Sequence, residues 1–163
     1  MIIRRIYVAR NIVQPWGNYL HTYSQKEKTP IQGCFTSNNK GFIELYPEYP
    51  EGLLDIQGFS HLTFLYYFQK AENCTLLTKP FLDKNKKGIF AIRHFKRPNP
   101  LGFSIVKLYR VRDNIIDIGS VDMLDGTPLL DRKTYVPQFD IKEDAEQGWY
   151  QNASERAKCE IEE

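Results

Sequence analysis

Ser104-Ile-Val-Lys-Leu-Tyr-Arg-Val-Arg112, then Asp113-Asn114, then Ile115-Ile-Asp-Ile-Gly-Ser-Val121 is the stretch on which the fold turns. Ile105, Lys107, Tyr109 and Val111 alternate with Val106, Leu108, Arg110 and Arg112, the period of two that sends successive side chains to opposite faces of a strand. Asp113 and Asn114 tolerate left-handed backbone and bond their own main chain, so they turn the chain into the next apolar run. The stretch reads as an antiparallel hairpin.

Working outward, further strand-like segments are Ile3 to Ala9, Gly41 to Leu45, Leu62 to Phe68 and Gly88 to Ile92, each bounded by Gly, Pro, Asn or Asp. Many short strands at this spacing favour a barrel or sandwich over a parallel sheet. The expected fold is mainly β: a small closed or partly open β-barrel with long loops and a short C-terminal helix. Asn18 to Lys40 is polar and aperiodic and reads as a long loop. The barrel domain is expected to occupy residues 1–140. Residues 141–163 form an acidic, partly helical tail, with Ala153 to Lys158 helix-favouring and Trp149 and Tyr150 as packing contacts.

A chain of 163 residues, 42% hydrophobic and 13% aromatic, has material for one core. It has no apolar run near the roughly 20 residues that span a bilayer and no signal-peptide core at Met1-Ile2-Ile3-Arg4-Arg5, so a soluble, cytoplasmic protein without membrane contact is expected. Cys34, Cys74 and Cys159 are far apart and lack C-x-x-C or a nearby His pair, so they read as reduced structural thiols and no metal is expected. The net charge of +2 hides an asymmetry: residues 141–163 hold seven acids and three bases, leaving 19 bases and 13 acids, a net +6, before them. A basic body is compatible with a polyanionic partner.

The densest chemistry lies between Arg93 and Thr127. In Gly88-Ile-Phe-Ala-Ile-Arg93-His-Phe-Lys-Arg97-Pro-Asn-Pro-Leu-Gly-Phe-Ser104, two prolines flank Asn99 and stiffen the loop before Gly102. Lys84 to Asn99 holds six bases and no acid, a natural setting for a carboxylate or phosphate; a solvated basic loop would look the same. In Val121-Asp-Met-Leu-Asp125-Gly-Thr-Pro-Leu-Leu-Asp131 a sharp turn exposes carbonyls and the Asp125 carboxylate, which could meet a ribose or an amino group or simply make a turn. G-x-G-x-x-G and G-x-x-x-x-G-K-[ST] are missing. With only His21, His61 and His94, candidates for a histidine base are few, and His61, at the head of an aromatic strand, reads as structural.

Together the two stretches resemble the TrmO family, also called the YaeB or TsaA-like family, of S-adenosylmethionine-dependent tRNA methyltransferases. The family pattern G-[VI]-F-A-T-R-S-P-F-R-P-N-P-I-G-L-S is met by Gly88 to Ser104. Its D-[LM]-L-D-G-T-P-[VL]-L-D-[IL]-K-P-Y-[VL]-P is met by Asp122-Met-Leu-Asp-Gly-Thr-Pro-Leu-Leu-Asp-Arg-Lys-Thr-Tyr135-Val-Pro137. Gly41-Phe-Ile-Glu-Leu45, Gly58-Phe-Ser-His-Leu62 and Gly148-Trp149 fit in order, so the resemblance covers residues 1 to about 150. Many bacterial members carry a further C-terminal domain, and this sequence reads as a short form.

The resemblance implies a small β-barrel outside the Rossmann class, a homodimer with S-adenosylmethionine near the subunit interface, and a tRNA partner methylated on the exocyclic amine of N(6)-threonylcarbamoyladenosine beside the anticodon. It places cofactor contacts at Pro30, Ile31 and Gln32, where the family has Pro-Arg-Gln; at Phe68 and Gln69, where it has Phe-His; and at Arg93, Phe103, Leu124, Asp125, Gly126 and Thr127. Lys96, Arg97 and Asn99 of the basic loop become the expected substrate contacts. Phe68 and Phe103 are expected to line a barrel pocket, Arg93 to pair with a carboxylate, and Asp125 or Tyr135 to act as base on the amine. Asp125 capping the turn and Tyr135 packing on the barrel are the structural alternatives. A relative with another acceptor and a non-catalytic RNA-binding barrel are the competing functions.

Overall fold

The computed structural model describes residues 6–8, 11–20 and 40–153. They group into two compact units. One takes in the chain up to Lys70 together with Leu101–Val136, the other Ala71–Pro100 together with the chain from Pro137 onward.

The first unit is built on a closed antiparallel barrel of six strands. Strands β1 (Ile6–Val8) and β2 (Asn11–Val13) pair as a short ribbon of their own. The barrel then runs through β3 (Gly17–Leu20), β4 (Lys40–Leu45) and β5 (His61–Tyr67). The second unit holds the two-residue strands β6 (Leu77–Thr78) and β7 (Lys87–Gly88), which pair with each other. Strands β8 (Leu101–Arg112), β9 (Ile115–Gly119) and β10 (Thr127–Thr134) complete the barrel in the order β10-β3-β4-β9-β8-β5, with β5 pairing back to β10. Of the expected closed or partly open barrel, the closed form is the observed fold, and Asp113-Asn114 makes the expected hairpin turn, with Asp113 at φ 49°.

Alternation fills the barrel. Leu62, Phe64 and Tyr66 on β5, Ile43 and Leu45 on β4, Val106 on β8, Ile116 and Ile118 on β9, Tyr19 on β3 and Leu129 on β10 are all buried, with Leu53, Ile56, Val121 and Met123 packed onto them. Each such side chain contributes about 1.5–3 kcal/mol by leaving water. A six-stranded barrel is narrower than the eight-stranded kind whose interior side chains just fill. Its interior is taken up by these core side chains.

Several segments differ from the sequence reading. The expected loop from Asn18 to Lys40 begins and ends in strands: Asn18–Leu20 lies in β3, and Lys40 opens β4. Periodicity missed β3 because Gly17 takes an inward position, where an added Cβ would stand 2.6 Å from the Glu44 carbonyl oxygen, and Tyr19 lays its ring against Gly41. Strand β10 was hidden by the turn residues at its start, by Thr127 at an inward position and by a register shift between Leu129 and Asp131. Strand β9 stops at Gly119 because Ser120 is left-handed, φ 58°.

The expected strand Gly88 to Ile92 is instead a 3-10 turn over Ile89–Ala91 following β7. Ile89 and Ile92, three residues apart, are both buried, which one helical turn allows and a strand does not. In the tail, α1 (Pro137–Asp140) and helical residues 149–153 are described; the Ser154 to Lys158 part of the expected helix lies outside the described residues.

On β8, a Cβ at Gly102 would run into the buried Tyr66 ring, whereas one at Gly88 would meet nothing. Gly102→Ala should lower the unfolding free energy by about 1–3 kcal/mol through overpacking. Gly88→Ala should stay within about 0.5 kcal/mol, both read from urea unfolding curves.

Candidate functional site

At one end of the barrel, Leu124-Asp125-Gly126-Thr127 forms a tight turn. The Thr127 amide and hydroxyl both donate to the Leu124 carbonyl, at 3.2 and 2.6 Å. Gly126 sits at φ 71°, a backbone region that a third turn position requires and glycine enters without strain, and its amide donates to the Tyr19 carbonyl at 2.8 Å. The turn is therefore pinned to β3 from below while Asp125 faces solvent.

Beside the turn runs a hydrogen-bonded chain that the sequence reading passed over. Ser104 Oγ donates to Asp122 Oδ1 at 2.5 Å, which leaves the Tyr66 hydroxyl to donate to Ser104 Oγ at 3.1 Å. Tyr66 and Ser104 are 4% and 6% exposed, so the chain carries the Asp122 charge into the barrel end, where each link strengthens the next. Burial, helped by the nearby Asp122 carboxylate, pushes the Tyr66 phenol well above its ordinary range, while its bond to Ser104 acts the other way; it stays a donor. The available signal was a Ser at an inward position of β8 and a second acid in the Asp122 to Asp125 segment.

Phe68 follows β5 and packs edge-on against Tyr66, centroids 5.2 Å apart, at this same end, with Gln69 exposed beyond it. Phe103, opposite Leu65 on β5, points outward and is 45% exposed. The two rings therefore lie on different sides of the wall and do not line one pocket. Tyr135 lies beyond the far end of β10, roughly 25 Å of extended chain from Asp125, with its ring edge-on to His61. Asp125 and Tyr135 are not neighbours.

In the second unit, Arg97 Nη1 donates to the carbonyls of Ile89 (3.0 Å) and Ile92 (2.9 Å), and its guanidinium lies 5.4 Å from the Phe90 ring. Trp149 Nε1 donates to the Ala91 carbonyl at 2.7 Å. Arg97 thus braces the Ile89–Ala91 turn that precedes Arg93. Arg93, Lys96 and Asn99 are exposed. Pro30, Ile31 and Gln32 lie outside the described residues, as do His21, Cys34 and Cys159; Cys74 is an exposed free thiol. Among the described residues no cluster of His, Cys, Asp and Glu could hold a metal ion, and no helix is long and apolar enough to cross a membrane.

Residues 19–141 match the tRNA-methyltransferase O N-terminal domain family, a span that contains the Asp122–Thr127 turn, its supporting Tyr66 and Ser104, and the Arg93 loop. The chain belongs to the TrmO family. Over 136 residues it is 43% identical to a probable S-adenosyl-L-methionine-binding protein of Pyrococcus abyssi, covering 83% of this chain and 74% of that one. It is 30% identical to the human tRNA (adenine(37)-N6)-methyltransferase, covering 79% of this chain and 31% of that enzyme. The crystal structure of TrmO from Pseudomonas aeruginosa superposes with a TM-score of 0.72 at 33% identity, over 83% of this chain and 60% of that one. The chain therefore spans about three-fifths of that solved TrmO and a third of the human enzyme.

The buried phenol gives a pH test. An unfolded tyrosine ionises near 10.0, while Tyr66 in the folded TrmO barrel resists ionisation. The stability it contributes is complete below pH 10 and is lost as pH rises through the folded value, because only the unfolded chain gives up the proton. The urea midpoint should fall between pH 9 and 11 in the wild type and fall less in Tyr66→Phe.

Proposed function

We propose that this chain is an S-adenosylmethionine-dependent methyltransferase acting on tRNA, and that its acceptor is the exocyclic amine of N(6)-threonylcarbamoyladenosine beside the anticodon. The observation that carries the reading is the family match across residues 19–141, joined by relatives named for S-adenosylmethionine binding and for adenine-37 N6 methylation. A cytoplasmic homodimer is part of the same reading.

The residues present suit the cofactor. Phe68, packed on Tyr66 at the barrel end that carries the turn, offers an aromatic face to an adenine or a sulfonium cation. The Leu124–Thr127 turn offers backbone groups fixed by three hydrogen bonds, and Asp122 and Asp125 offer negative charge to a ribose or an ammonium. When bound, S-adenosylmethionine supplies a methyl group on a sulfonium, ready for in-line displacement.

The chain's own contribution is to bind, to orient and to move one proton. The turn, anchored on Tyr19 and backed by the Tyr66–Ser104–Asp122 chain, is preorganised, so little ordering remains when ligands arrive. Arg93 pairs with a carboxylate, either of the cofactor's methionine or of the threonyl group. A carbamoylated amine is a weak nucleophile while protonated, and Asp125, exposed at the tip of the turn, is the group we assign to take its proton as the new bond forms. Tyr135, at the other end of β10, takes no part in that step; it packs on His61.

Calorimetry on cofactor-free protein should show S-adenosylmethionine binding, lost in Arg93→Ala; wild-type affinity in that variant would remove Arg93 from the cofactor site. Labelled methyl should pass to tRNA carrying threonylcarbamoyladenosine and not to the unmodified transcript. Asp125→Asn should bind cofactor and turn over about 10²–10⁴-fold more slowly. Full turnover in that variant with cofactor bound would show that Asp125 is not the base.

A further inference from the structure

Four strands of the barrel carry one continuous row across their outer faces. Lys40 on β4 stands opposite Gly119 on β9, Gly119 opposite Lys107 on β8, and Lys107 opposite His61 on β5. At about 4.8 Å between strands, the row is roughly 14 Å wide.

A bulge sets an aromatic ring into it. Pairing of β8 with β9 passes from Leu108–Ile118 to Arg110–Asp117, so Tyr109 is the extra residue, and a bulge re-aims the side chain it carries. The ring settles on Gly119, where an added Cβ would stand 2.6 Å from its Cε2 and hydroxyl oxygen, and it remains 43% exposed. Lys107 Nζ lies 5.5 Å and Lys40 Nζ 5.7 Å from its centroid.

Covering a strand glycine needs only the ring. It does not need two ammonium groups converging on that ring, an arrangement of like charges that an anion relieves. Neither lysine belongs to an ion pair among the described residues, and Asp117, two residues from Gly119 on β9, is held by both its oxygens to Arg112 at 2.9 and 3.0 Å. Phe42 and Ile105, the next outward positions along β4 and β8 from Lys40 and Lys107, are 43% and 41% exposed.

An exposed aromatic flanked by unneutralised cations matches a single-stranded polyanion whose bases stack and whose phosphates pair. We propose that this face docks the RNA substrate, with an unpaired base on Tyr109 and the phosphates on either side taken by Lys40 and Lys107. The inference rests on the tRNA reading above and adds a surface that none of the cofactor or substrate residues named there supplies.

The test uses the full chain and an unmodified tRNA transcript, with binding followed by fluorescence anisotropy across a salt series. Lys40→Gln with Lys107→Gln should weaken binding at least tenfold and flatten the slope of log K against log salt by about 1.4, two single-strand phosphate contacts. Tyr109→Leu, which still covers Gly119, should weaken binding about tenfold, and Tyr109→Phe should restore it. Unchanged S-adenosylmethionine affinity and unfolding midpoints verify that each variant is folded. Wild-type RNA affinity and salt slope in the lysine pair overturn the surface while leaving the tRNA reading standing. A wild-type protein that binds S-adenosylmethionine but neither the transcript nor tRNA carrying threonylcarbamoyladenosine removes both. Loss of a dimer in these variants, seen by light scattering, with RNA affinity per protomer kept, overturns RNA as the occupant in favour of a second copy of the chain.

Discussion

Closing a sheet on itself with only six strands leaves no edge and no hollow, and everything else about the first unit follows from that constraint. Every strand of the barrel has a neighbour on both sides, which removes the exposed edge strand that an open sheet must protect. The price is that the inner volume is taken by Tyr19, Ile43, Phe64, Ile116, Ile118 and Leu129. That leaves loops and outward side chains at the barrel's ends and on its outer wall.

Tyrosine over glycine recurs as a packing device. Tyr19 lies on Gly41 and Tyr66 on Gly102 inside the barrel, and Tyr109 lies on Gly119 outside it. Small residues opposite large rings let a narrow barrel hold bulky side chains in one arrangement. Inside, this places the Tyr66 hydroxyl where it must find a polar partner, and the Ser104–Asp122 pair supplies one. The same contact that packs the core thus fixes a carboxylate at the root of the Leu124–Thr127 turn. Outside, the device leaves a ring on the surface between two lysines.

The basic loop of the second unit divides its cations between two tasks. Arg97 spends its guanidinium on the Ile89 and Ile92 carbonyls, groups that a 3-10 turn with no following strand leaves without ladder partners. Such a planar donor can serve two carbonyls and a neighbouring ring at once, which a lysine cannot. Arg93 and Lys96 are exposed on the same loop.

The sequence by itself determined the β class, the Asp113-Asn114 hairpin and the family, because strand alternation and turn residues act locally and the two long motifs are contiguous; it left the barrel closed or partly open. It also picked out the Asp125-Gly126 turn, since only a glycine meets φ 71° there without strain. What it did not determine is what lies next to what. Tyr66, Ser104 and Asp122 come from three separate segments, so their chain exists only once β5 and β8 are paired. Asp125 and Tyr135 share a motif yet sit at opposite ends of β10, because an extended strand carries eight residues farther than any side chain reaches. Phe103 and Ser104 are neighbours that face opposite ways. Lys40, Tyr109 and Lys107 meet only because β4, β9 and β8 lie side by side and one extra residue turns the tyrosine. Contacts between strands distant in sequence are set by register and closure, and those are properties of the folded barrel.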